Sequence, residues 1–450
     1  MTHVVTRSCC TDAACVHACP VNCIHPTPDE PDFGTTEMLY VDPSACVDCG
    51  ACVGACPVGA IKPHTRLGED ELPFVDLAAA YHQVERPRAL QAAVPRTPRL
   101  VTRGGRLDVA VVGSGPAAMY TVEELLKNEA VRVTVLERLA EPFGLARWGV
   151  SPDHRRTRAV RSELSRILAN PRVTLRTGVD VGHDVSLDEL RAGHDAVVWA
   201  GGASAPRSAT LPGTVAAVDL VSWWNGHPEH VEPPPGIDAV DVVVVGAGNV
   251  ALDVARMLTA PPEVLARAEL TPRVRERLAA TAHRRVTVAA RGPGMAAACT
   301  TSELIGLAAL RDRAVRVTGL EPLRGVEHGL AAHRASVLAR LAEAPVERSD
   351  RSITLALNDS ARHVGDAGLV VSAIGHRLPD GVPLPVDPAT GALAHERGAV
   401  VDPVTRVPLE GLYCVGWAKR GATGFIGTNK ACARETVRSL LQDANRLVAV

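Results

Sequence analysis

From Arg106 onward the apolar positions fall in short runs that end at a glycine turn and pass into helical spacing, and this unit occurs twice. The first reads as a strand over Leu107 to Val112, the turn Gly113-Ser-Gly115-Pro-Ala-Ala118, a helix to about Lys127, and a strand from Val131 to Leu136 closed by Glu137. The second reads as a strand over Asp241 to Val245, the turn Gly246-Ala-Gly248-Asn249-Val250-Ala251, a helix to about Leu258, and a strand from Arg285 to Ala290 closed by Arg291. Strand, glycine turn, helix and strand in that order predict a parallel α/β sheet. Two such units predict two dinucleotides. Leu330 to Ala344 has the spacing of an amphipathic helix, and the rest of residues 305 to 362 carries no recognisable chemistry. Upstream, periodicity lapses: Glu85 to Arg106 holds six arginines, three prolines and one acid, and reads as a linker.

Composition narrows the class. Of 450 residues, 46% are hydrophobic and 22% charged, the balance of a globular chain rather than a disordered one. A formal charge of -2 offers no global field for nucleic acid. No apolar run reaches the roughly 18 residues of a membrane span, and the first residues lack the apolar segment of a signal peptide, so a cytoplasmic protein is expected.

Nine of the twelve cysteines lie in the first 56 residues. In a reducing compartment such a cluster predicts metal binding rather than disulfides. Cys46-x2-Cys49-x2-Cys52-x3-Cys56-Pro57 is the run in which three thiolates hold one iron–sulfur cluster and the fourth reaches another. The segment also repeats: Cys15 to Ile24 matches Cys52 to Ile61 at seven of ten positions with a shift of 37. Under that shift Cys46 falls on Cys9, and Cys49 falls on Asp12. The expected ligands of a [4Fe-4S] cluster are Cys19, Cys46, Cys49 and Cys52. A second cluster on Cys9, Cys15 and Cys56 would be [3Fe-4S], or a labile [4Fe-4S] whose fourth iron uses Asp12 or Cys10, because a hard carboxylate holds cluster iron less firmly than a thiolate. Cys10 and Cys23 read as buried thiols nearby. Residues 1 to 62 carry seven acids against two bases, Arg7 and Lys62.

At the first glycine turn, Gly113 allows the bend, Gly115 admits a pyrophosphate at the helix start, and Ala118 allows close packing. Glu137 would accept hydrogen bonds from an unphosphorylated ribose, which suits FAD. At the second, Gly246, Gly248, Asn249, Val250 and Ala251 form the turn, and Arg291 replaces the acid. A guanidinium there suits the 2'-phosphate of NADPH. Near the C-terminus, Gly416-Trp417-Ala-Lys419-Arg420-Gly421-Ala-Thr-Gly424-Phe425-Ile426-Gly427-Thr428-Asn429-Lys430 has the glycine density of a cofactor approach. The chain has four lysines against 44 arginines, and two of the four lie in this stretch.

These motifs, with Gly149-Val-Ser-Pro-Asp-His154, resemble a bacterial-type ferredoxin fused to a ferredoxin-NADP reductase of the adrenodoxin reductase family. The resemblance implies a small α+β ferredoxin domain over 1–66, an Arg/Pro-rich linker over 67–106, an FAD domain over 107–203 and 376–450, and an NADP domain over 204–375. It implies FAD contacts at Gly115, Ala118, Glu137, Leu145, Trp417 and Gly424 to Ile426, and NADP contacts at Gly248 to Ala251, Arg291, Glu303 and Gly424. His154 and Glu303 match the family's polar pair between flavin and nicotinamide, where they would position groups and handle protons. The implied activity is hydride transfer from NADPH to FAD, then single electrons to the tethered clusters and on to an external ferredoxin or terminal oxidoreductase. The rival reading is an electron-input subunit of a larger complex, like the small subunit of glutamate synthase. A disulfide reductase would need a Cys-x-x-Cys beyond residue 52, and there is none. Two departures stand out. The family's first phosphate-binding arginine is Ala290 here, which predicts a weaker preference for NADPH over NADH. The stretch between Glu303 and Gly375 is also shorter than the family's by several tens of residues, which puts the completeness of the NADP domain in question.

Overall fold

The computed structural model describes residues 2–84, 97–99, 105–207, 213–281, 284–321, 328–344, 350–359 and 364–449. Two parallel-type sheets form the body. The first sheet runs in the order His395–Glu396, Ala399–Val401, Pro408–Cys414, Ala196–Trp199, Leu107–Val112, Val131–Glu137, Val173–Thr177. Its last five strands are parallel, and the first two add antiparallel at one edge. The second sheet is parallel throughout, in the order Val215–Ala216, Leu369–Ser372, Asp241–Val245, Arg284–Ala289, Arg351–Ala356, Ala314–Thr318. Despite the short stretch after Glu303, this sheet has six strands, with the helix Gly329–Ala342 packed on its helix Thr301–Ala308. The expected amphipathic helix is thus present, over Gly329–Ala342. The chain crosses between the two bodies at a ribbon pairing Ala205–Pro206 with His376–Arg377.

Both sheets are covered on two faces, so their strands are continuous apolar runs; Val109, Val111, Val133 and Val135 in one and Val244, Val286 and Val288 in the other are buried. Both glycine turns fold alike. Gly113 and Gly246 have φ of +97° and +115°, and a Cβ would lie 2.7 Å from Ala200 O and 2.5 Å from Ala373 O. Only glycine meets both conditions. The following helices, Pro116–Leu125 and Asn249–Leu258, therefore start close against their sheets.

The N-terminal domain is a duplicated fold. Short helices Ala14–Ala18 and Ala51–Ala55 each begin after a left-handed residue and end in a cysteine with nearly the same angles, φ -78° and ψ 117° at Cys19, φ -78° and ψ 114° at Cys56. Left-handed backbone recurs at the repeat spacing: Thr11 with Asp48, Ala13 with Gly50, Asn22 with Gly59. Strands His3–Val5 and Ile61–Pro63 pair antiparallel, as do Ile24–His25 and Tyr40–Val41.

The expected linker over 67–106 needs correction at its start. Pro73–His82 is a helix whose Phe74, Leu77, Ala78 and Tyr81 are buried at helical spacing, with Tyr81 stacked on Tyr40 at 4.3 Å between ring centres. It belongs to the ferredoxin-like domain and also packs on Gly329–Ala342 of the second body. Most of the arginine-rich stretch, residues 85–96 and 100–104, lies outside the described residues.

Candidate functional site: two nucleotide turns and a cysteine cradle

Cys19, Cys46, Cys49 and Cys52 line one cavity in the N-terminal domain, together with His3, Cys23 and Gly50. The structure thus gathers the four residues expected for the [4Fe-4S] cluster. Cys23 lies with them, its sulfur 3.4 Å from that of Cys19. Cys9, Cys15 and Cys56 form a second set, close enough that Cys56 opposes ionisation of Cys9, and Cys9 and Cys56 oppose that of Cys15. Burial pushes Cys9 up to about 12 and Cys52 to about 11. Thiols so placed are neutral at pH 7 unless a cation takes their protons, as cluster iron does. Amide N–H groups already point at two sulfurs, Ala60 at Cys56 (3.2 Å) and Cys23 at Cys19 (3.4 Å). The donor set fits two iron–sulfur clusters.

The FAD-side residues come together around the first glycine turn. Gly144, next to Leu145, approaches Gly115 so that a Cβ would lie 3.2 Å from its Cα, and Gly416, next to Trp417, would place a Cβ 2.5 Å from that of Ala117. Glu137 is buried; one oxygen accepts from the Ser114 amide at 3.1 Å and from the Ser114 hydroxyl, the other from Leu139 N at 2.9 Å. Trp417 donates its ring N–H to Thr423 O at 3.0 Å, and the Phe425 and Ile426 carbonyls accept from Thr428 and Asn429. Gly115 has no atom within 4 Å of a would-be Cβ, which leaves its backbone open to a ligand. An open turn at a helix start and a carboxylate at the next strand end fit FAD.

On the other sheet, Gly248 opens the helix that begins at Asn249, with Val250 half-buried and Ala251 buried behind it. Asn249 Oδ1 accepts from Thr300 N at 2.8 Å, tying this turn to the helix that carries Glu303. Arg291 is exposed at the strand end, whereas Ala290 is 5% exposed and faces the core. The neighbouring position is therefore no substitute phosphate ligand. Gly248 and Arg291 fit a 2'-phosphorylated dinucleotide.

His154 and Glu303 meet in a buried charge network that also contains residues the motifs did not single out. Arg256 donates to Asp153 (2.6 Å), Asp253 (2.5 Å), Glu303 (3.1 Å) and His154 Nε2 (2.5 Å). Arg7, from the N-terminal domain, donates to Glu303 through Nε at 3.0 Å and through Nη2 at 2.8 Å, and lies 2.9 Å from His154 Nε2. His154, Asp253 and Glu303 alone have the makings of a cation site. The guanidiniums of Arg7 and Arg256 already stand among them as counter-charges. One signal for Arg7 was legible: it is one of only two bases in an acidic segment.

Burial works to raise the Glu303 carboxyl, but Arg7, then Arg256 and His154, outweigh it and hold it at about 2. It is an anion at neutral pH, an anchor for guanidiniums rather than a proton donor. Glu303 should add stability above its ordinary value of 4.5 and lose that contribution as pH falls towards about 2. The Tm gap between wild type and Glu303→Gln is expected to close across that window; parallel curves would contradict the assignment.

Lys419 and Lys430 have different partners. Lys419 is buried against Glu435 (2.5 Å) and Thr436 (3.2 Å) beneath the sheet, a packing role. Lys430 reaches Asp12 of the N-terminal domain at 3.1 Å. Of the remaining cysteines, Cys299 and Cys414 are buried, and Cys432 accepts from Gly416 N at 3.3 Å. Among the described residues no helix is long and apolar enough to cross a membrane.

Comparison with known proteins bears on these sites. Residues 107–421 match the family described as pyridine nucleotide-disulphide oxidoreductase, and residues 39–62 match the 4Fe-4S binding domain. A probable ferredoxin/ferredoxin-NADP reductase of Mycobacterium tuberculosis is 44% identical over 488 residues, covering 99% of this chain and 84% of the relative; its Mycobacterium leprae counterpart is 41% identical over 484, covering 99% and 87%. The solved structure of Mycobacterium tuberculosis FprA in complex with NADPH aligns with a TM-score of 0.67 at 30% identity, over 76% of this chain and 85% of that one. With its two nucleotide turns and its cysteine cradle in one polypeptide, the chain belongs to the ferredoxin/ferredoxin-NADP reductase family.

Proposed function

We propose that this chain is an NADPH:ferredoxin oxidoreductase whose own N-terminal domain is the first electron acceptor, with an external ferredoxin or a terminal oxidoreductase beyond it. The observation that carries the reading is the seating of the cysteine domain against both nucleotide-binding bodies. Arg7 enters the His154–Glu303 network, and Cys10 O accepts from Gly427 N at 2.7 Å within the Trp417 motif. Bound FAD supplies the coupling of a hydride donor to one-electron carriers. The protein supplies position: Gly115 and Glu137 would hold the flavin nucleotide, Gly248 to Ala251 and Arg291 the NADPH. His154 and Glu303, locked by Arg256 and Arg7, would fix the polar surface between the two rings. Tethering replaces a diffusional encounter by a high effective concentration. Cys19, Cys46, Cys49 and Cys52 would hold a [4Fe-4S] cluster, and Cys9, Cys15 and Cys56 a second one.

Anaerobic titration with NADPH, following flavin and cluster absorbance together, tests this reading. Flavin bleaching followed by cluster bleaching is expected; bleaching of flavin alone would sink the internal-acceptor role. Arg291 is the one exposed arginine of the expected pair, so Arg291→Ala should raise the NADPH concentration needed by roughly tenfold, about 1.4 kcal/mol for a charged hydrogen bond, and leave NADH unchanged. An equal change for both coenzymes would remove Arg291 from the 2'-phosphate.

A further inference from the structure

Asp12 stands where the repeat places Cys49, and the backbone around the two is duplicated: Thr11 and Asp48 before them both have φ of 57°, and the residues after them, Ala13 and Gly50, are both left-handed. A side chain at position 12 therefore leaves the chain where a ligand of the second cluster would. Its carboxylate is otherwise engaged. Oδ2 accepts from Lys430 Nζ at 3.1 Å and Oδ1 from Ala14 N at 3.3 Å, and the side chain is 5% exposed. Lys430 is held from a second side by the Tyr120 ring, 5.1 Å from its centre. Beside the pair, the two domains touch through backbone alone: Gly427 N donates to Cys10 O, and a Cβ on Gly427 would lie 2.2 Å from Asp12 N.

We infer that Lys430 withholds Asp12 from the second cluster, so that this carboxylate anchors the ferredoxin domain on the FAD domain and the second cluster rests in the three-iron form. The inference rests on the two-cluster reading above. To reach iron, the carboxylate would have to abandon a half-buried ammonium that it pairs with at 3.1 Å, leaving Glu123 as the more distant acid acting on it. A cysteine at position 12, one bond shorter and with its charge committed to iron, would leave Lys430 unpaired, and a carboxylate is a poor fourth ligand in any case. One residue thus exchanges a cluster ligand for a domain contact.

The test uses the full chain, reconstituted anaerobically with ferrous iron and sulfide. Wild type should hold about seven irons and show the spin-half EPR signal of the oxidised three-iron cluster. That signal should return on reoxidation after dithionite and excess ferrous iron. In Lys430→Met the freed carboxylate should admit the fourth iron: the one-electron-reduced three-iron cluster takes up one ferrous ion without further electron change, dithionite having supplied the single electron. The signal should disappear and the count rise to about eight. Lys430→Arg, which keeps the pair, should stay at seven, and Asp12→Cys should reach eight with Lys430 intact. Ready uptake of the fourth iron by wild type, or a persistent three-iron signal in Lys430→Met, would overturn the inference while leaving the reductase reading in place. About four irons in reconstituted wild type would overturn the two-cluster reading itself, and the inference with it. The wild-type count, and Lys430→Gln in place of Lys430→Met, decide the matter even where methionine is not tolerated.

Discussion

Replacing Arg256 by methionine is expected to destabilise the protein by about 3–5 kcal/mol, the usual consequence of removing one partner from a buried ion network. The side chain is 5% exposed and is the common donor to Asp153, Asp253 and Glu303, which come from three separate segments. Asp153 belongs to the body of the first glycine turn and the other two to that of the second, so the guanidinium also ties one body to the other. Burial works to raise Asp153, yet Arg256 and then His154 outweigh it and hold it well below the ordinary carboxylate range. Without Arg256, burial would leave Asp153 and Glu303 binding protons more readily, so the deficit of the variant should shrink as pH falls from 7 towards 5. Guanidinium unfolding of both proteins at the two pH values measures this; a loss under about 1 kcal/mol at pH 7 would mean the network is hydrated and adds little.

Gly427→Ala should separate the ferredoxin domain from the FAD domain. The new Cβ would meet Asp12 N at 2.2 Å, Asp12 Cα at 2.4 Å and Cys10 O at 2.5 Å, all main-chain atoms that cannot turn aside. Overpacking of this severity costs about 3 kcal/mol or more, which shifts docked against undocked populations roughly a hundredfold. After mixing with NADPH, cluster bleaching should then lag flavin bleaching by a large factor, with flavin content measured alongside to confirm that FAD remains bound. A lag no longer than that of wild type would show that this contact does not carry the docking.

The sheets, both turns and the cysteine sets were legible because each is local: glycines forced by left-handed angles at Gly113 and Gly246, alternation at a shift of 37, and an acid or arginine closing a strand. The helix Pro73–His82 was hidden by its surroundings. Its apolar positions are spaced as a helix requires, but they sit next to a stretch of arginine and proline that suggested linker over the whole interval. Arg7, Asp153 and Arg256 escaped for a different reason. Their roles come from partners hundreds of residues away in one case and about a hundred in another, such as Arg7 with Glu303, and no spacing rule reaches that far. The scarcity of lysine did point to the Trp417 motif, yet only the folded chain separates Lys419, which serves packing, from Lys430, which serves the domain contact.

The ferredoxin domain touches both of its neighbours at once. Arg7 and Glu37 hold the NADP body, through Glu303 and through Thr301 N at 2.6 Å, while Asp12 and Cys10 hold the FAD body. It is therefore a strut across the cleft between them. A swivel of one body against the other, the ordinary way for such a cleft to admit and release a coenzyme, would here have to break contacts at one foot of the strut. Coenzyme exchange and the seating of the electron acceptor are in this way geared together, and loosening either foot should speed NADP release at the expense of delivery to the clusters.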